Sequence, residues 1–128
     1  MKIVRSFRFG MKGLRHAYRS DKSFRMEINY GLPIYLVVGY LLLPLETGEL
    51  LFFILSYMLI LSVELLNTSI EFMLERLHPE QHELIGKCKD VASGAVLISF
   101  LFAMIVVAVL VYARVSLGTP VLIPHTFV

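Results

Sequence analysis

Three long apolar blocks alternate with short polar connections along this chain, and each block predicts a helix. The first runs from about Ile28 to Leu45, near the short limit for crossing hydrocarbon. Pro44 stands at its end, while Pro33 either kinks the helix or lies in its first turn. Glu46-Thr-Gly-Glu49 reads as a tight polar turn. The second block starts at Leu50 and stays apolar to Val63, apart from Ser56, Tyr57 and Ser62. From Glu64 the helical pattern continues to about residue 74 with one polar side. Tyr57, Glu64, Asn67, Thr68, Glu71 and Glu75 fall within about one third of the circumference at ~100° per residue. His78-Pro79 ends that helix, and residues 75–90 read as a connection. The third block runs from about Val91 to Ala113 and closes with Arg114. It opens with Ala92, Ser93, Gly94 and Ala95, small residues that let helices approach closely. Residues 114–128 form a tail with no clear structure.

Ahead of the blocks, residues 3–19 predict a basic amphipathic helix within a surface region of residues 1–27. Ile3, Phe7, Met11, Leu14 and Tyr18 line one face, and Arg5, Arg8, Lys12, Arg15 and Arg19 the other. Such a helix lies in the headgroup layer with its bases near anionic lipid. Gly10 and Gly13 weaken it locally. The apolar blocks that follow need a bilayer, which argues against a nucleic-acid partner.

Composition agrees with a membrane setting. The 128 residues are 57% hydrophobic, with a mean hydropathy of +0.74, far more apolar than a soluble domain of this length. The expected fold is therefore an all-α membrane protein of one domain, with three transmembrane helices (28–45, 50–74 and 91–113) after the amphipathic surface helix. No cleavable signal peptide is expected, because the first 27 residues lack an apolar core block. The single Cys88 excludes an internal disulfide framework and multi-cysteine zinc patterns, and it reads as a small filler near a helix start.

The net charge of +2 hides an asymmetry. Lys2, Arg5, Arg8, Lys12, Arg15, Arg19, Lys22 and Arg25 face only Asp21 in the first 25 residues, whereas the connection near residue 47 holds Glu46 and Glu49 and no base. The positive-inside rule then makes the N-terminus and residues 75–90 cytoplasmic, and the C-terminus external. Arg76, Lys87 and Lys89 in the inner connection agree.

Carboxylates inside an apolar helix are costly and mark a site by default. Glu64, Asn67 and Glu71, at i, i+3 and i+7, share one face. Glu64 is either a carboxyl paired across helices or a general base within reach of a lipid hydroxyl. Glu71 is either a helix-end acid or, with a second carboxylate, a ligand for Mg²⁺. Asn67 either orients one of them or bonds another helix. A lysine at the start of the third span opposes the helix dipole, so Lys89 makes better sense as a phosphate ligand, and Asp90 as its neighbour or as a cap. These groups supply what phosphoryl transfer asks for: a metal, a cation on the phosphates and a base at the acceptor. No G-x-x-x-x-G-K or G-x-G-x-x-G occurs, so any nucleotide is held by unconventional means. Two other readings stand. A proton or ion pathway uses the glutamates as a relay but leaves Lys89–Asp90 and the surface helix without a role. A scaffold subunit uses the polar face only to pair helices.

Glu64-Leu-Leu-Asn67-Thr-Ser-Ile-Glu71, then His82-Glu-Leu-x-Gly86-x-x-Lys89-Asp90 and Ser93-Gly-Ala-Val-Leu, resemble the small bacterial diacylglycerol kinases. The likeness extends from about residue 2 to 113 and takes in Lys12-Gly-Leu-Arg15 and Phe24-Arg25-x-Glu27. It implies an inner-membrane homotrimer with sites shared between subunits and MgATP-dependent phosphorylation of a membrane lipid alcohol, in phospholipid recycling. Glu64 would be the general base and Asn67 its neighbour at the reacting hydroxyl. Glu71 would ligate the metal, with Asp21 at a position where the family usually has Glu. Lys89 and Asp90 would contact ATP, beside the Glu80-Gln81-His82 loop. Lys2 and Phe9 fall on nucleotide-side positions where Arg and Tyr are familiar. Arg15, Arg25, Glu27, Glu64 and Ser93 match positions on the lipid side. A sister group phosphorylates undecaprenol and tends to have His-Pro-Leu where this chain has His82-Glu-Leu, so the resemblance favours diacylglycerol.

Overall fold

The structure is a computed structural model describing residues 1–77 and 82–117, all helical apart from short connections, with no strand among the described residues. Helix α1 spans Lys2–Ser20. It stops at Asp21, whose extended backbone (φ −104°, ψ 110°) breaks the helical path. The Asp21 N–H still donates to the Ala17 carbonyl at 2.8 Å, and its carboxylate accepts from the Ser23 N–H at 2.9 Å. Asp21 thus closes α1 and caps α2, Lys22–Met26. A π-helical turn, Glu27–Gly31, carries α2 into α3, Leu32–Leu41.

That wide turn resolves the position of Pro33. Proline has no N–H and its ring collides with the carbonyl four residues back. Before it the backbone widens, and the Leu32 N–H closes onto the Glu27 carbonyl five residues back. Pro33 then sits in the first turn of α3. Helix α4 spans Thr47–Leu77, 31 residues, and α5 spans Glu83–Tyr112, 30 residues, followed by a second π-helical turn, Ala113–Leu117. Two stretches, Thr47–Leu77 and Glu83–Ser116, are long and apolar enough to cross a membrane. With ten residues, α3 is too short to cross by itself.

Helices α4 and α5 pair along their length. The buried stripe of α4 is Glu49, Phe53, Ser56, Ile60, Glu64 and Thr68, at spacings of three and four. That of α5 is Ala92, Ser99, Ala103, Val106 and Leu110, small at one end and larger at the other. The small residues let the backbones approach. At the larger end Leu42, Phe53, Val106 and Leu110 form the core, packed by Tyr35, Val38, Leu45, Phe102 and Val107. Leu51, Leu55, Ile98, Met104 and Ile105 point outward.

Three expectations change. The expected turn at 46–49 is instead the last residue of a connection, Leu42–Glu46, and the first turn of α4 from Thr47. Its Glu49 is fully buried against Arg114, whose Nη2 and Nη1 donate to Glu49 Oε1 and Oε2 at 2.8 and 3.2 Å. The same guanidinium donates to the Leu42 and Pro44 carbonyls at 2.9 and 2.7 Å, which ties the end of α5 to the α3–α4 connection. Second, α5 begins at Glu83 rather than near Val91, because the His82 ring accepts from the Leu84 N–H at 3.1 Å and caps it. Lys89 and Asp90 therefore lie inside the helix, beyond the first turn where the dipole acts, and Asp90 is not its cap. Third, exposed Cys88 lies within α5 rather than filling a gap. His78, Pro79, Glu80, Gln81 and residues 118–128 lie outside the described residues.

Removing one member of a buried ion pair strands the other charge, at a cost of about 3–5 kcal/mol. Arg114→Met is expected to lower the unfolding temperature in detergent micelles sharply. Adding Glu49→Gln to it should restore much of the loss, since the uncompensated charge is then gone.

Candidate active site

The polar half of α4 faces the start of the α2–α3 run and the first part of α5. Between them lies a cavity of about 430 Å³ lined by Ser23, Met26, Glu27, Glu64, Asn67, Glu71, Ser93, Val96 and Phe100. Helical spacing builds two of its walls. Glu64, Asn67 and Glu71 stand at i, i+3 and i+7 on α4, and Ser93, Val96 and Phe100 repeat the same interval on α5. Glu27 comes from the first residue of the π-helical turn.

Glu64 is only 5% exposed. The Asn67 amide donates a long bond, 3.4 Å, to Glu71 Oε1, while its buried Oδ1 has no partner among the described residues. The Thr68 hydroxyl lies between the Asp21 carboxylate and the Glu64 carbonyl, the latter at 3.0 Å. Asp21 is thereby fixed beside the cavity without lining it. The cavity thus gathers three carboxyls and an orphaned amide oxygen, with no basic side chain in its lining.

Such oxygen donors fit a hard divalent cation, which takes one or two carboxylates and completes its shell with water and phosphate. Among the described residues no three acidic, histidine or cysteine side chains stand where they could hold a metal ion by themselves.

Of the residues singled out in the sequence, Glu27, Glu64, Asn67, Glu71 and Ser93 come together and Asp21 adjoins them. The others do not line this cavity. Lys89 and Asp90 are exposed one turn before Ser93 on α5. Lys2, Phe9 and Arg15 are exposed on α1, where the Lys12 ammonium sits 5.7 Å from the Phe9 ring centre. Arg25 spends its guanidinium on the carbonyls of Tyr18 and Arg19, both at 3.1 Å, at the negative end of α1. His82 is the α5 cap, and Glu80 and Gln81 are outside the described residues. Sequence reasoning missed Ser23, Met26, Val96 and Phe100 as lining residues and Thr68 as the partner of Asp21. The interval from Ser93 to Phe100 was available as a signal.

A second, apolar groove of about 1000 Å³ runs between α3 and α5, lined in part by Tyr30, Ile34, Val38, Phe53 and Val107. It shares Met26, Glu27 and Phe100 with the polar cavity, so Glu27 stands where the two meet.

An all-helical chain with two membrane-capable helices and a carboxylate cavity beside an apolar groove defines a class suited to chemistry on an amphiphile. The sequence pattern of prokaryotic diacylglycerol kinase matches residues 8–111, and the chain belongs to that family. It is 35% identical over 114 residues to the diacylglycerol kinase of Escherichia coli K12, covering 88% of this chain and 91% of that protein. The diacylglycerol kinases of Haemophilus influenzae and Pseudomonas aeruginosa are 31% and 30% identical, over 81% and 91% of this chain and 86% and 89% of theirs.

Asparagine caps a helix about as well as aspartate, whereas alanine costs about 1 kcal/mol. Asp21→Asn is expected to unfold near the wild-type temperature and Asp21→Ala below it, as read by circular dichroism in micelles.

Proposed function

We propose that the protein transfers the γ-phosphoryl group of ATP to 1,2-diacylglycerol, giving phosphatidic acid at the cytoplasmic face of the bacterial inner membrane. The observation that carries this reading is the cavity that gathers Glu27, Glu64, Asn67, Glu71 and Ser93 in a chain of this family. Glu64 takes the proton of the lipid hydroxyl, and Asn67 steadies that hydroxyl beside it. Glu71 and Asp21 hold Mg²⁺, which when bound neutralises charge on the phosphates. Lys89 and Asp90, exposed one turn away, meet the nucleotide together with Lys2, Phe9 and the residue 80–82 segment. Glu27, Ser93, Arg15 and Arg25 serve the lipid side.

The same reading gives the chain three spans, the first formed by the α2–α3 run that the π-helical turn makes continuous. Helix α1 lies on the inner surface, the N-terminus is cytoplasmic and the C-terminus external. The assembly is a homotrimer in which neighbouring copies complete each site. The outward apolar side chains of α4 and α5, and the exposed bases of α1, support this arrangement.

The test is transfer of label from MgATP to diacylglycerol and to undecaprenol in mixed micelles. Label on diacylglycerol is expected, falling about 10²- to 10⁴-fold in Glu64→Gln with MgATP binding near normal. Glu71→Gln should weaken metal and nucleotide binding together. Label only on undecaprenol would keep the chemistry and change the substrate. Label on neither lipid, or equal binding losses in both variants, would contradict the reading.

A further inference from the structure

Glu27 is held by contacts outside the polar cavity. Its carbonyl accepts the Leu32 N–H that closes the π-helical turn, and it also accepts the Tyr57 hydroxyl of α4 at 2.9 Å. One carbonyl oxygen has two lone pairs, so both donors are accommodated. The Tyr57 ring is itself fixed. It packs on Tyr35 with centroids 4.8 Å apart, and the Tyr35 hydroxyl pairs with Ser56 Oγ at 3.2 Å. Gly31 lies beside both groups. A Cβ at that position would stand 3.4 Å from Glu27 Oε2 and 3.6 Å from Tyr57 Cε1. The Glu27 carboxylate therefore lies back over Gly31, beside the tyrosine ring.

A π-helical turn is rare and is frequent at functional sites. Here an α4 side chain, thirty positions away, bonds the first carbonyl of the turn. Tyr57 lines neither the polar cavity nor the apolar groove, while Glu27 lines both. We infer that Tyr57 is a positioning residue for lipid recognition: its hydroxyl pins the π-helical turn so that Glu27 stands at the junction of groove and cavity, facing the polar end of the lipid alcohol. This rests on the phosphotransfer reading above and extends it to how the acceptor is held.

Tyr57→Phe keeps the ring and removes only the hydroxyl. In full-length protein in mixed micelles, its KM for diacylglycerol should rise about 3- to 10-fold, the loss of one hydrogen bond. The turnover number and the KM for MgATP should stay within about twofold. Adding Glu27→Gln to Tyr57→Phe should raise the lipid KM no further than Glu27→Gln alone, since the two act through one group. A Tyr57→Phe enzyme with wild-type lipid KM, or one losing turnover and both affinities alike, would overturn this inference alone. Wild-type protein that phosphorylates no lipid would overturn the phosphotransfer reading and this inference with it.

Discussion

A carboxylate placed in an apolar helix has to be covered, and the rest of this structure follows from how Glu64 is covered. Isolated charge in hydrocarbon is too costly to persist, so polar partners or enclosed water must meet it. Helix α4 turns Glu64 inward with Asn67 and Glu71, and α5 offers small residues opposite, so the helices pack closely while leaving a polar cavity. The α2–α3 run closes the third side with Ser23 and Glu27. The membrane-capable pair and the candidate site are thus one construction. Packing that buries the carboxylate also creates the space in which an acceptor hydroxyl can meet it.

The opposite end of α4 meets the same constraint differently. Glu49 is fully buried, but Arg114 answers it with two hydrogen bonds and spends its other donors on the Leu42 and Pro44 carbonyls. That site has its own counter-charge and little capacity for a ligand. The cavity near Glu64 has carboxyls without a base and an amide oxygen without a partner. Two buried acids on one helix are therefore distinguished by what surrounds them, one satisfied and the other open to a cation and a phosphate.

The helical periods of α4 were legible because they are local: Glu64, Asn67 and Glu71 share a face by spacing alone. The expected three spans are a different matter, since among the described residues two helices pass by length and composition. The first apolar block opens within a π-helical turn just ahead of Pro33, and Tyr57, thirty positions on, bonds the first carbonyl of that turn. The ion pair of Glu49 with Arg114 joins positions 65 apart, which no local pattern reports. The start of α5 was misjudged because His82, an uncommon cap, extends the helix past the apolar block. Lys89 and Asp90 lost their helix-start argument for that reason, although they still stand one turn from Ser93. Thr68 was visible on the polar face, but its bond to Asp21 crosses 47 positions.

The cation accompanying ATP is expected to sit at the Glu64–Glu71 end of α4. The direct measurement is paramagnetic broadening of carboxyl ¹³C signals by Mn²⁺ bound with a non-hydrolysable ATP analogue, in protein labelled at glutamate. Glu71 and Glu49 lie about 33 Å apart along the helix, at 1.5 Å per residue, so one metal cannot broaden both. With the cation at that end, the Glu71 signal is lost and the Glu49 signal stays sharp. A sharp Glu71 signal beside a broadened Glu49, or two sharp signals with nucleotide bound, would contradict it.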